Sequence, residues 1–422
     1  MGSSVGTNQV KTSFGRLVAG LIIGEVGLLM ALITPSALLI TFKLMAIDPE
    51  NAIHSLGMVA GIGALFALIS NPIGGFISDR THMKFGKRRT WILLGGILGG
   101  ASLIGIALST EVWMVGVSWC LVCIFFNFSL ASYTALIADQ VEESRRGSLS
   151  GILGMVSVFG ALLGLILITM IGKASTLEKF GLLAAVGVIT SLISCILIKD
   201  NKAEYRHSES KVSFVEALSK IYPSPRKFPV FTWGLITRFC VTVAYCSSAY
   251  NAMMFMQRYH YTQEKATGIV TLISMICVGF IAFSSVLGGI LSDKLKRQKP
   301  FVAFSPLVVA IGLLINAFAP SIPFVILGFA LAGFGYGIYT GVDLALITRI
   351  LPRKEDTAKD MGLMNIANTL PQSVVPLIAP LLLQIGSWPF YFCFLAIFGL
   401  LSSLAVIPIP EISAKPIEEV KI

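Results

Sequence analysis

Charged residues are scarce in this sequence. Only 13% of its 422 residues are Asp, Glu, Lys or Arg, while 55% are hydrophobic and the mean hydropathy is +0.83. A soluble globular domain carries roughly 25% charged residues, and a chain beyond about 300 residues normally divides into several domains with polar surfaces. The composition therefore excludes a water-soluble enzyme. It also excludes a disordered protein, since disorder requires low hydrophobicity and high charge.

Residues and motifs typical of catalysis are missing as well. The chain has four histidines, all in polar segments between apolar runs, and it contains neither an HExxH nor a GxSxG sequence. All seven cysteines lie in apolar stretches, where a thiol usually serves as a small buried side chain rather than as a metal ligand or half of a disulfide. We therefore expect no enzyme activity, no metal site and no cofactor.

The net charge of +10 does not indicate nucleic-acid binding, because the basic residues lie in short segments between apolar runs and not on one polar face. The apolar runs themselves are the dominant feature. About 20 apolar residues in a helix cross a hydrocarbon core of ~30 Å. The sequence thus predicts an all-α membrane protein with twelve transmembrane helices, at about 17–42, 55–78, 91–110, 112–138, 149–171, 180–198, 228–256, 266–291, 301–319, 321–348, 361–385 and 388–408.

The distribution of Lys and Arg predicts the orientation of these helices. With both termini in the cytoplasm, 26 basic residues lie in cytoplasmic segments and five on the other side, which is the asymmetry of membrane proteins. We therefore predict a multi-pass protein of the cell membrane. The longest polar stretch divides it into an N-terminal six-helix half at 1–198, a cytoplasmic linker at 199–227 and a C-terminal six-helix half at 228–422.

The linker has one patterned segment. Its apolar residues recur at helical spacing, at Phe214, Ala217, Leu218 and Ile221. This pattern suits an amphipathic helix on the membrane surface, and a solvated linker is the alternative.

The two halves repeat each other. The chain reads GGFISDR from Gly74 to Arg80 and GGILSDK from Gly288 to Lys294, an offset of 214 residues. The tripeptide Ala-Leu-Ile ends helix 4 and helix 10, at an offset of 210 residues. Two matches at nearly one spacing indicate duplicated six-helix halves. Such halves are typical of secondary transporters, whose substrate site lies between the halves near the membrane midplane.

The first repeat also carries a family resemblance. The segment from Gly75 to Arg89, GFISDRTHMKFGKRR, resembles the cytoplasmic signature of the major facilitator superfamily. Its five residues between Asp-Arg and Gly, followed by Trp91, are similar to the glycoside–pentoside–hexuronide symporters and the related sucrose-type symporters. The segment from Tyr133 to Gly147 resembles the same group. Melibiose-type members hold sodium with acidic residues in helix 2, which here has none from Ser55 to Ser78, so proton coupling is favoured.

The signature predicts a gate at the cytoplasmic end of helix 2. A carboxylate at Asp79 can cap a neighbouring helix N-terminus or pair with an arginine. Gly86, Lys87, Arg88 and Arg89 are expected to form the turn after it and to anchor that turn at the anionic leaflet, and Asp293 would play the part of Asp79 in the second half. The alternative is that these charges only set the topology. The predicted gating residues are Gly75, Asp79, Arg80, Gly86, Lys87, Arg88, Arg89 and Asp293.

Three charged residues fall well inside predicted helices: Glu25, Arg238 and Asp343. A charge in hydrocarbon costs at least about 2.5–3.5 kcal/mol, so it faces a partner or a wet cavity. The resemblance implies that helices 1, 4, 7 and 10 line the cavity, and all three charges lie on these helices. Glu25 and Arg238 both lie near the midplane, and Glu25 is expected to exchange a proton under the influence of Arg238. A permanent Glu25–Arg238 ion pair is the alternative, and Asp343, nearer the inner end, suits a gate or a substrate contact.

Polar side chains on the same helices and on helix 11 complete the predicted substrate site. Hydroxyl and amide groups suit a polyhydroxyl ligand, and tyrosine rings stack on its apolar face. Each of these residues could equally form hydrogen bonds between helices. The predicted substrate and proton site comprises Glu25, Asn127, Arg238, Tyr245, Tyr336, Tyr339, Asp343, Asn368 and Gln372.

The sequence thus predicts a monomeric secondary active transporter, embedded in the bilayer, that moves a small polar solute by alternating access. A sugar or glycoside, including an acidic one, is the expected substrate, and a proton is the expected coupling ion. Export of a small organic anion or an amphiphilic compound is the alternative substrate class. A channel or a sensor would not need the duplicated halves.

The orientation can be tested with a cysteine in place of Lys173, in the predicted loop between helices 5 and 6. A membrane-impermeant thiol reagent should label it only from outside the cell, because this loop belongs to the side with few basic residues. Labelling only from the cytoplasmic face would show that the predicted orientation is wrong and that the topology is the reverse.

Overall fold

The structure is a computed structural model that describes residues 12–200, 228–350 and 357–410. Every regular element within these ranges is a helix. This agrees with the composition, because a helix satisfies its backbone hydrogen bonds internally where no water is available. The predicted amphipathic segment of the linker lies outside the described residues.

The first half contains six long helices. Each starts or ends within a few residues of a predicted span. They are α1 (Phe14–Ile47), α2 (Ala52–Asp79), α3 (Lys87–Leu108), α4 (Val112–Gln140), α5 (Glu143–Met170) and α6 (Thr176–Leu197). The second half continues with α7 (Pro229–Arg258), α8 (Gln263–Leu295), α9 (Lys299–Phe318) and α10 (Ile322–Ile350).

The last helical stretch, Thr357–Ala405, contains two spans. Its 49 residues would extend about 74 Å as one helix, more than twice a hydrocarbon core. The stretch is interrupted at Gly386 and Ser387, whose dihedral angles are not helical, and Ser387 has a left-handed φ of 61°. The break separates α11 (357–385) from α12 (388–405). Eleven continuous helical stretches in the described residues are thus long and apolar enough to span a membrane, and they supply the twelve predicted helices.

Two long helices are interrupted at matching places. In α1 the segment Pro35–Leu39 forms a wider π turn before the helix resumes at Ile40–Ile47. In α7 the first part ends at Tyr245, and a short 3₁₀ turn, Ser248–Tyr250, precedes the final segment Asn251–Arg258. Proline contributes to the first break because it lacks a backbone N–H. Local breaks of this kind often mark functional positions in helices.

The helices pack with the same neighbours in both halves. In the first half α3 packs against α4 and α6, and α1 against α6. In the second half α9 packs against α10 and α12, and the final helical stretch packs against α7. Two serine hydroxyls of α12 form hydrogen bonds at these contacts. Ser402 donates to the carbonyl of Thr237 on α7 at 2.9 Å, and Ser403 donates to the carbonyl of Ala303 on α9 at 2.7 Å.

The repeated glycine pair also has a repeated contact. A Cβ added at Gly74 of α2 would lie 2.8 Å from the Cα of Phe128 on α4, and one at Gly288 of α8 would lie 3.2 Å from the Cα of Ile338 on α10. The first glycine of each repeat is therefore a close-approach position between two helices. A Cβ at Gly75 meets no described atom within 4 Å, so the second glycine has no such role.

By its internal contacts the chain divides into two compact units. One comprises Met1–Ser208 with His260–Thr271, and the other Glu209–Tyr259 with Leu272–Ile422. The first turns of α8 thus belong to the first unit, where the hydroxyls of Thr169 and Thr271 share a hydrogen bond of 2.8 Å. The domain boundaries drawn from the sequence remain a prediction.

The neighbouring glycines Gly74 and Gly75 provide a matched pair of substitutions. Gly74→Ala should destabilise the protein by about 1–3 kcal/mol, because the new methyl group collides with backbone that cannot move away cheaply. Gly75→Ala should be neutral or slightly stabilising, since alanine is the better helix former. Thermal unfolding in detergent measures both variants. Equal melting temperatures would show that α2 and α4 can separate without cost.

Candidate functional site

The gating signature forms a charged cluster at the N-terminal end of α3. The Arg88 side chain is only 5% exposed and contacts three oxygen acceptors. Its guanidinium donates to Ser78 at 2.9 Å and to Asp139 at 3.1 Å, and it forms a very short ion pair with Asp79. Asp139 also pairs with Lys87 at 2.9 Å. The ends of α2 and α4 are thereby held to the start of α3. Of the two roles predicted for Asp79, pairing with an arginine is therefore the one observed.

The helix cap in this cluster comes from Asp200, which the sequence analysis did not single out. One oxygen of its carboxylate accepts hydrogen bonds from the backbone N–H groups of Arg88 at 2.6 Å and Arg89 at 3.1 Å. These are N–H groups that a helix leaves without internal partners, and an anion there also interacts favourably with the helix dipole. Asp200 thus extends α3 back to Lys87.

The cap corrects the prediction for the basic cluster. Lys87, Arg88 and Arg89 form the first turn of α3, and only Gly86 belongs to the turn before it. Gly86 has a φ of 115°, and a Cβ there would lie 2.6 Å from the Asp200 carboxylate. Arg88 points into the protein and is not a leaflet anchor.

The remaining arginines of the signature lie on aromatic rings. The Arg80 guanidinium lies 3.4 Å from the ring centre of Phe76, and that of Arg89 lies 4.3 Å from the ring centre of Phe85. Arg80 is exposed. Both contacts are cation–π interactions of a kind common at membrane surfaces.

The second half lacks a matching cluster among the described residues. Asp293 accepts a backbone hydrogen bond from Lys296 at 3.2 Å through its carbonyl, and its carboxylate forms no ion pair with a described residue. At the start of α9, Lys299 donates to the carbonyl of Ile407 at 2.7 Å. The sequence repeat therefore does not extend to the ion pairs around it.

Glu25 is a buried carboxylate that has no basic partner in the described part of the chain. It lies in the first segment of α1, Phe14–Thr34, and is 7% exposed. Within the described residues it forms no ion pair and no hydrogen bond, so the cost of burying its charge is not offset there. Held at this position, the carboxyl group is a suitable carrier of a single proton.

Three hydroxyl groups lie close to this part of α1. Those of Tyr133, Ser191 and Ser194 are buried, and none forms a hydrogen bond of ordinary geometry with a described residue. A Cβ added at Gly24 would meet the Tyr133 hydroxyl, and this phenol lies within electrostatic reach of Glu25. The surroundings of Glu25 are thus polar but uncharged. Asn127 on α4 is 8% exposed, and its amide donates to the carbonyl of Cys123 on its own helix at 2.7 Å.

The buried charges of the second half pair with each other. The Arg238 guanidinium on α7 lies 3.6 Å from the Asp343 carboxylate on α10. This distance gives electrostatic attraction without a direct hydrogen bond. Arg238 Nε is buried without a partner among the described residues, so the pair retains unused hydrogen-bonding capacity. Arg238, which on the sequence evidence could have paired with Glu25, is neutralised within its own half.

Tyrosines and amides surround this ion pair. Tyr245 of α7 and Tyr336 of α10 stack in parallel with ring centres 3.9 Å apart. Tyr339 lies one turn before Asp343, and its hydroxyl is buried without a hydrogen bond of ordinary geometry. On α11, Asn368 accepts a hydrogen bond from Thr242 at 3.2 Å.

Gln372, one turn further along α11, is exposed and donates to the Asn368 carbonyl at 3.5 Å. The structure thus brings Arg238, Asp343 and the three tyrosines together.

Two further features were not predicted. Asp360, one residue before the predicted start of helix 11, is 1% exposed; a hydropathy boundary gave no sign of this burial. An open apolar groove lies on the surface of α2 and α4, lined in part by the exposed side chains of Met58, Phe66, Trp113 and Leu121. No candidate site residue lines it. Within the described residues no three His, Cys, Asp or Glu side chains could hold a metal ion.

Duplicated halves, spans broken at matching places and buried ionisable residues on the broken helices are the features of a secondary transporter. Comparison with known proteins gives the family. The sequence model of the Major Facilitator Superfamily matches residues 25–315 and 270–421, so the chain belongs to this superfamily. It is a multi-pass membrane transporter that binds a small-molecule substrate, and its family and structural neighbours are transporters rather than enzymes.

Curated relatives are distant. The chain is 25% identical to a multi-drug resistance efflux pump PmrA homolog of Lactococcus lactis, over 76% of each chain. It is 30% identical to a general alpha-glucoside permease of Schizosaccharomyces pombe, over 33% of this chain and 30% of the permease. It is also 28% identical to an uncharacterized symporter of Synechocystis, over 33% of this chain and 28% of the symporter.

Solved structures share the fold over nearly the whole chain. A D-xylose-proton symporter superposes with a TM-score of 0.71 at 17% identity, covering 93% of this chain and 98% of the symporter. A peptide transporter POT superposes with a TM-score of 0.73 at 14% identity, covering 94% and 95%. At these identities the likeness confirms the predicted fold of twelve helices in two pseudo-symmetric halves, and nothing about substrate.

The charged cluster predicts an unequal response to two substitutions. Arg88→Gln should destabilise the first half by about 1–3 kcal/mol, because the ends of α2 and α4 lose the buried side chain that joins them to α3 and Asp79 loses its cation. Asp79→Asn should cost about 1 kcal/mol or less, since the Asp79 side chain is 62% exposed and Asp139 still pairs with Arg88. Thermal unfolding of the purified protein measures the difference. A smaller effect for Arg88→Gln would contradict the central position of this guanidinium.

Proposed function

We propose that the protein is a proton-coupled symporter for a neutral sugar or glycoside, of the glycoside–pentoside–hexuronide or sucrose type. The observation that carries the proposal is the division of buried charge. Arg238 and Asp343 neutralise each other in one half, and Glu25 has no basic partner among the described residues of the other. The first arrangement suits an uncharged polar substrate, and the second suits the uptake and release of one proton.

The substrate class follows from the groups around Arg238. The Arg238 guanidinium can donate a hydrogen bond to one sugar hydroxyl, and the Asp343 carboxylate can accept a hydrogen bond from another. The Tyr245–Tyr336 stack offers an aromatic surface for the apolar face of a pyranose ring, and Asn368 adds an amide. Because Asp343 neutralises Arg238, a neutral sugar is favoured over the acidic sugar that an isolated arginine would suit.

The coupling role of Glu25 follows from the energetics of a buried charge. When the site is closed to water, an ionised carboxylate without a partner is costly, and binding a proton removes that cost. A carrier with this residue would reorient readily once Glu25 is protonated. The similarity of one third of the chain to a general alpha-glucoside permease supports this choice of substrate.

Several further properties belong to the same proposal. Asp79, Arg80 and the Arg88 cluster act as the cytoplasmic gate, with Asp293 in the second half. The protein works as a monomer in the cell membrane with both termini in the cytoplasm. The excess of basic residues in the segments assigned to the cytoplasm supports this orientation.

Export of an amphiphilic compound is the second candidate function. It is favoured by the similarity to a multi-drug efflux pump, which covers 76% of each chain. The open apolar groove on α2 and α4 would offer such a compound a binding surface. Counterflow in proteoliposomes with labelled sucrose, maltose, glucuronate and ethidium separates the two functions. Accelerated counterflow of labelled sucrose or maltose supports the proposal. Accelerated counterflow of labelled ethidium alone supports export.

Glu25→Gln should abolish accumulation of the transported sugar driven by a pH gradient. Glutamine imitates the protonated carboxyl group and cannot release a proton, whereas exchange of sugar across the membrane does not require that release. Counterflow should therefore continue at a rate comparable to the parent protein. Both rates are measured with the same labelled sugar in proteoliposomes.

Asp343→Asn is the control. It leaves Arg238 buried without its counterion, so both accumulation and counterflow should fall. Proton-dependent accumulation by Glu25→Gln would rule out Glu25 as the coupling site. Loss of accumulation with intact counterflow in Asp343→Asn would place the coupling site on α10.

A further inference from the structure

The far end of α1 is tied to α3 by a single basic side chain. Lys43 lies in the last segment of α1, Ile40–Ile47, beyond the π turn. Its ammonium group donates to the backbone carbonyl of Ala107 at 2.7 Å. Ala107 is the penultimate residue of α3. The bond therefore joins the end of one helix to the C-terminus of another.

The second half has the same connection. Arg258 is the last residue of α7, in the segment Asn251–Arg258 that follows the 3₁₀ turn. Its guanidinium donates to the carbonyls of Asn316 at 2.8 Å, Ala317 at 3.1 Å and Ala319 at 3.0 Å. Ala317 is the penultimate residue of α9. The neighbouring Tyr259 hydroxyl also donates to Ala319, at 3.1 Å.

These two contacts correspond in the sequence repeat. Lys43 and Arg258 are offset by 215 residues, and Ala107 and Ala317 by 210. The glycine motifs and the Ala-Leu-Ile tripeptides are offset by 214 and 210 residues. The cation and its acceptor thus occupy equivalent places in both halves. The residue type differs, since one half uses lysine and the other arginine, so the shared feature is the positive charge on the helix end.

The physical role of such a cation is clear from helix geometry. The last four carbonyls of a helix have no internal partner, and together they carry the negative end of the helix dipole. At the boundary of a bilayer few waters compete for these carbonyls, so a buried or half-buried cation there binds more strongly than one in solution. Lys43 and Arg258 each satisfy helix-end carbonyls and at the same time fix the segment that carries them.

Both anchored segments follow a break in their helix. The π turn Pro35–Leu39 separates the Lys43 segment from the part of α1 that holds Glu25. The interruption at 246–250 separates the Arg258 segment from the part of α7 that holds Arg238. In each half, therefore, the candidate site residue lies on one side of a break and the anchor on the other.

We infer that Lys43 and Arg258 are paired positioning residues for transport. Each holds the far segment of a core helix to its neighbour, α3 or α9, so that the break beside it works as a hinge. The inner parts of α1 and α7, with Glu25 and Arg238, then move against a fixed outer segment. Without the anchor, the outer segment follows the inner part, and movement of the inner part no longer opens or closes that end of the site.

Hydrogen–deuterium exchange of the full chain in nanodiscs tests the anchors without any substrate. Lys43→Met should raise exchange in Ile40–Ile47 and leave Phe14–Thr34 unchanged. Arg258→Met should raise exchange in Asn251–Arg258 and leave Pro229–Tyr245 unchanged. Lys43→Arg should retain the parent pattern, because arginine keeps the charge. Lys173→Met is the matched control, since Lys173 is an exposed basic residue of the first half for which the described residues show no such contact.

Sucrose counterflow tests the consequence for transport, and this arm rests on the proposed function. Each Met variant should lower the maximal rate about tenfold, the effect expected from losing one charge–helix-end interaction, with the half-saturating sucrose concentration unchanged. Exchange that rises equally on both sides of the break would show general loosening and overturn the hinge. Parent-like exchange in the Met variants would also overturn the hinge, and so would a parent-like counterflow rate per folded molecule. If sucrose is not transported by the parent, the proposed substrate fails while the exchange result still decides the anchors.

Discussion

A helix in a bilayer can satisfy every backbone group except those at its two ends, and this protein meets that constraint with charged side chains from other segments. Helix α3 shows both cases. The Asp200 carboxylate accepts from the N–H groups of its first turn, and the Lys43 ammonium donates to a carbonyl of its last turn. An acid at the N-terminus and a base at the C-terminus both match the helix dipole. The positions of the surrounding helices follow from these contacts, because α1 and the segment after α6 must reach the ends of α3.

Pairing is the other way in which this protein accommodates charge, and it divides the buried ionisable residues into two groups. Arg88 is held by Asp79 and Asp139, and Arg238 faces Asp343. These pairs join helices and resist change, because removing one partner leaves an uncompensated charge. Glu25 has no such partner among the described residues. A group whose charge is not balanced by the protein is free to be balanced by a proton, which is why the proposed coupling role rests on it.

The duplication kept some contacts and lost others. Gly74 and Gly288 still allow close helix approach, and Lys43 and Arg258 still cap α3 and α9. These contacts support packing that both halves need. The ion pairs around Arg88 have no described counterpart in the second half, where Lys299 binds a backbone carbonyl. The buried charges have also diverged: among the residues that the structure describes, Glu25 of one half has no ion pair, whereas Arg238 and Asp343 of the other pair with each other. The halves therefore share a framework and differ in their chemistry.

The spans, the repeat and the three charges inside the spans were predictable from the sequence, because hydropathy, motif spacing and charge position are local properties. The twelve predicted spans agree with the helices to within a few residues at most ends, and Glu25, Arg238 and Asp343 stood out because charge is rare in apolar runs.

The partners of the charged residues were not predictable. Asp139 and Asp200 look like ordinary loop acids in the sequence, and the start of α3 at Lys87 depends on a carboxylate more than a hundred residues away. Sequence depth made Glu25 the candidate partner of Arg238, since Asp343 lies nearer the end of its span, but the structure pairs Arg238 with Asp343. Only the tertiary structure decides these questions, because an ion pair or a cap depends on the distance between helices, and the order of residues along one helix does not contain that distance.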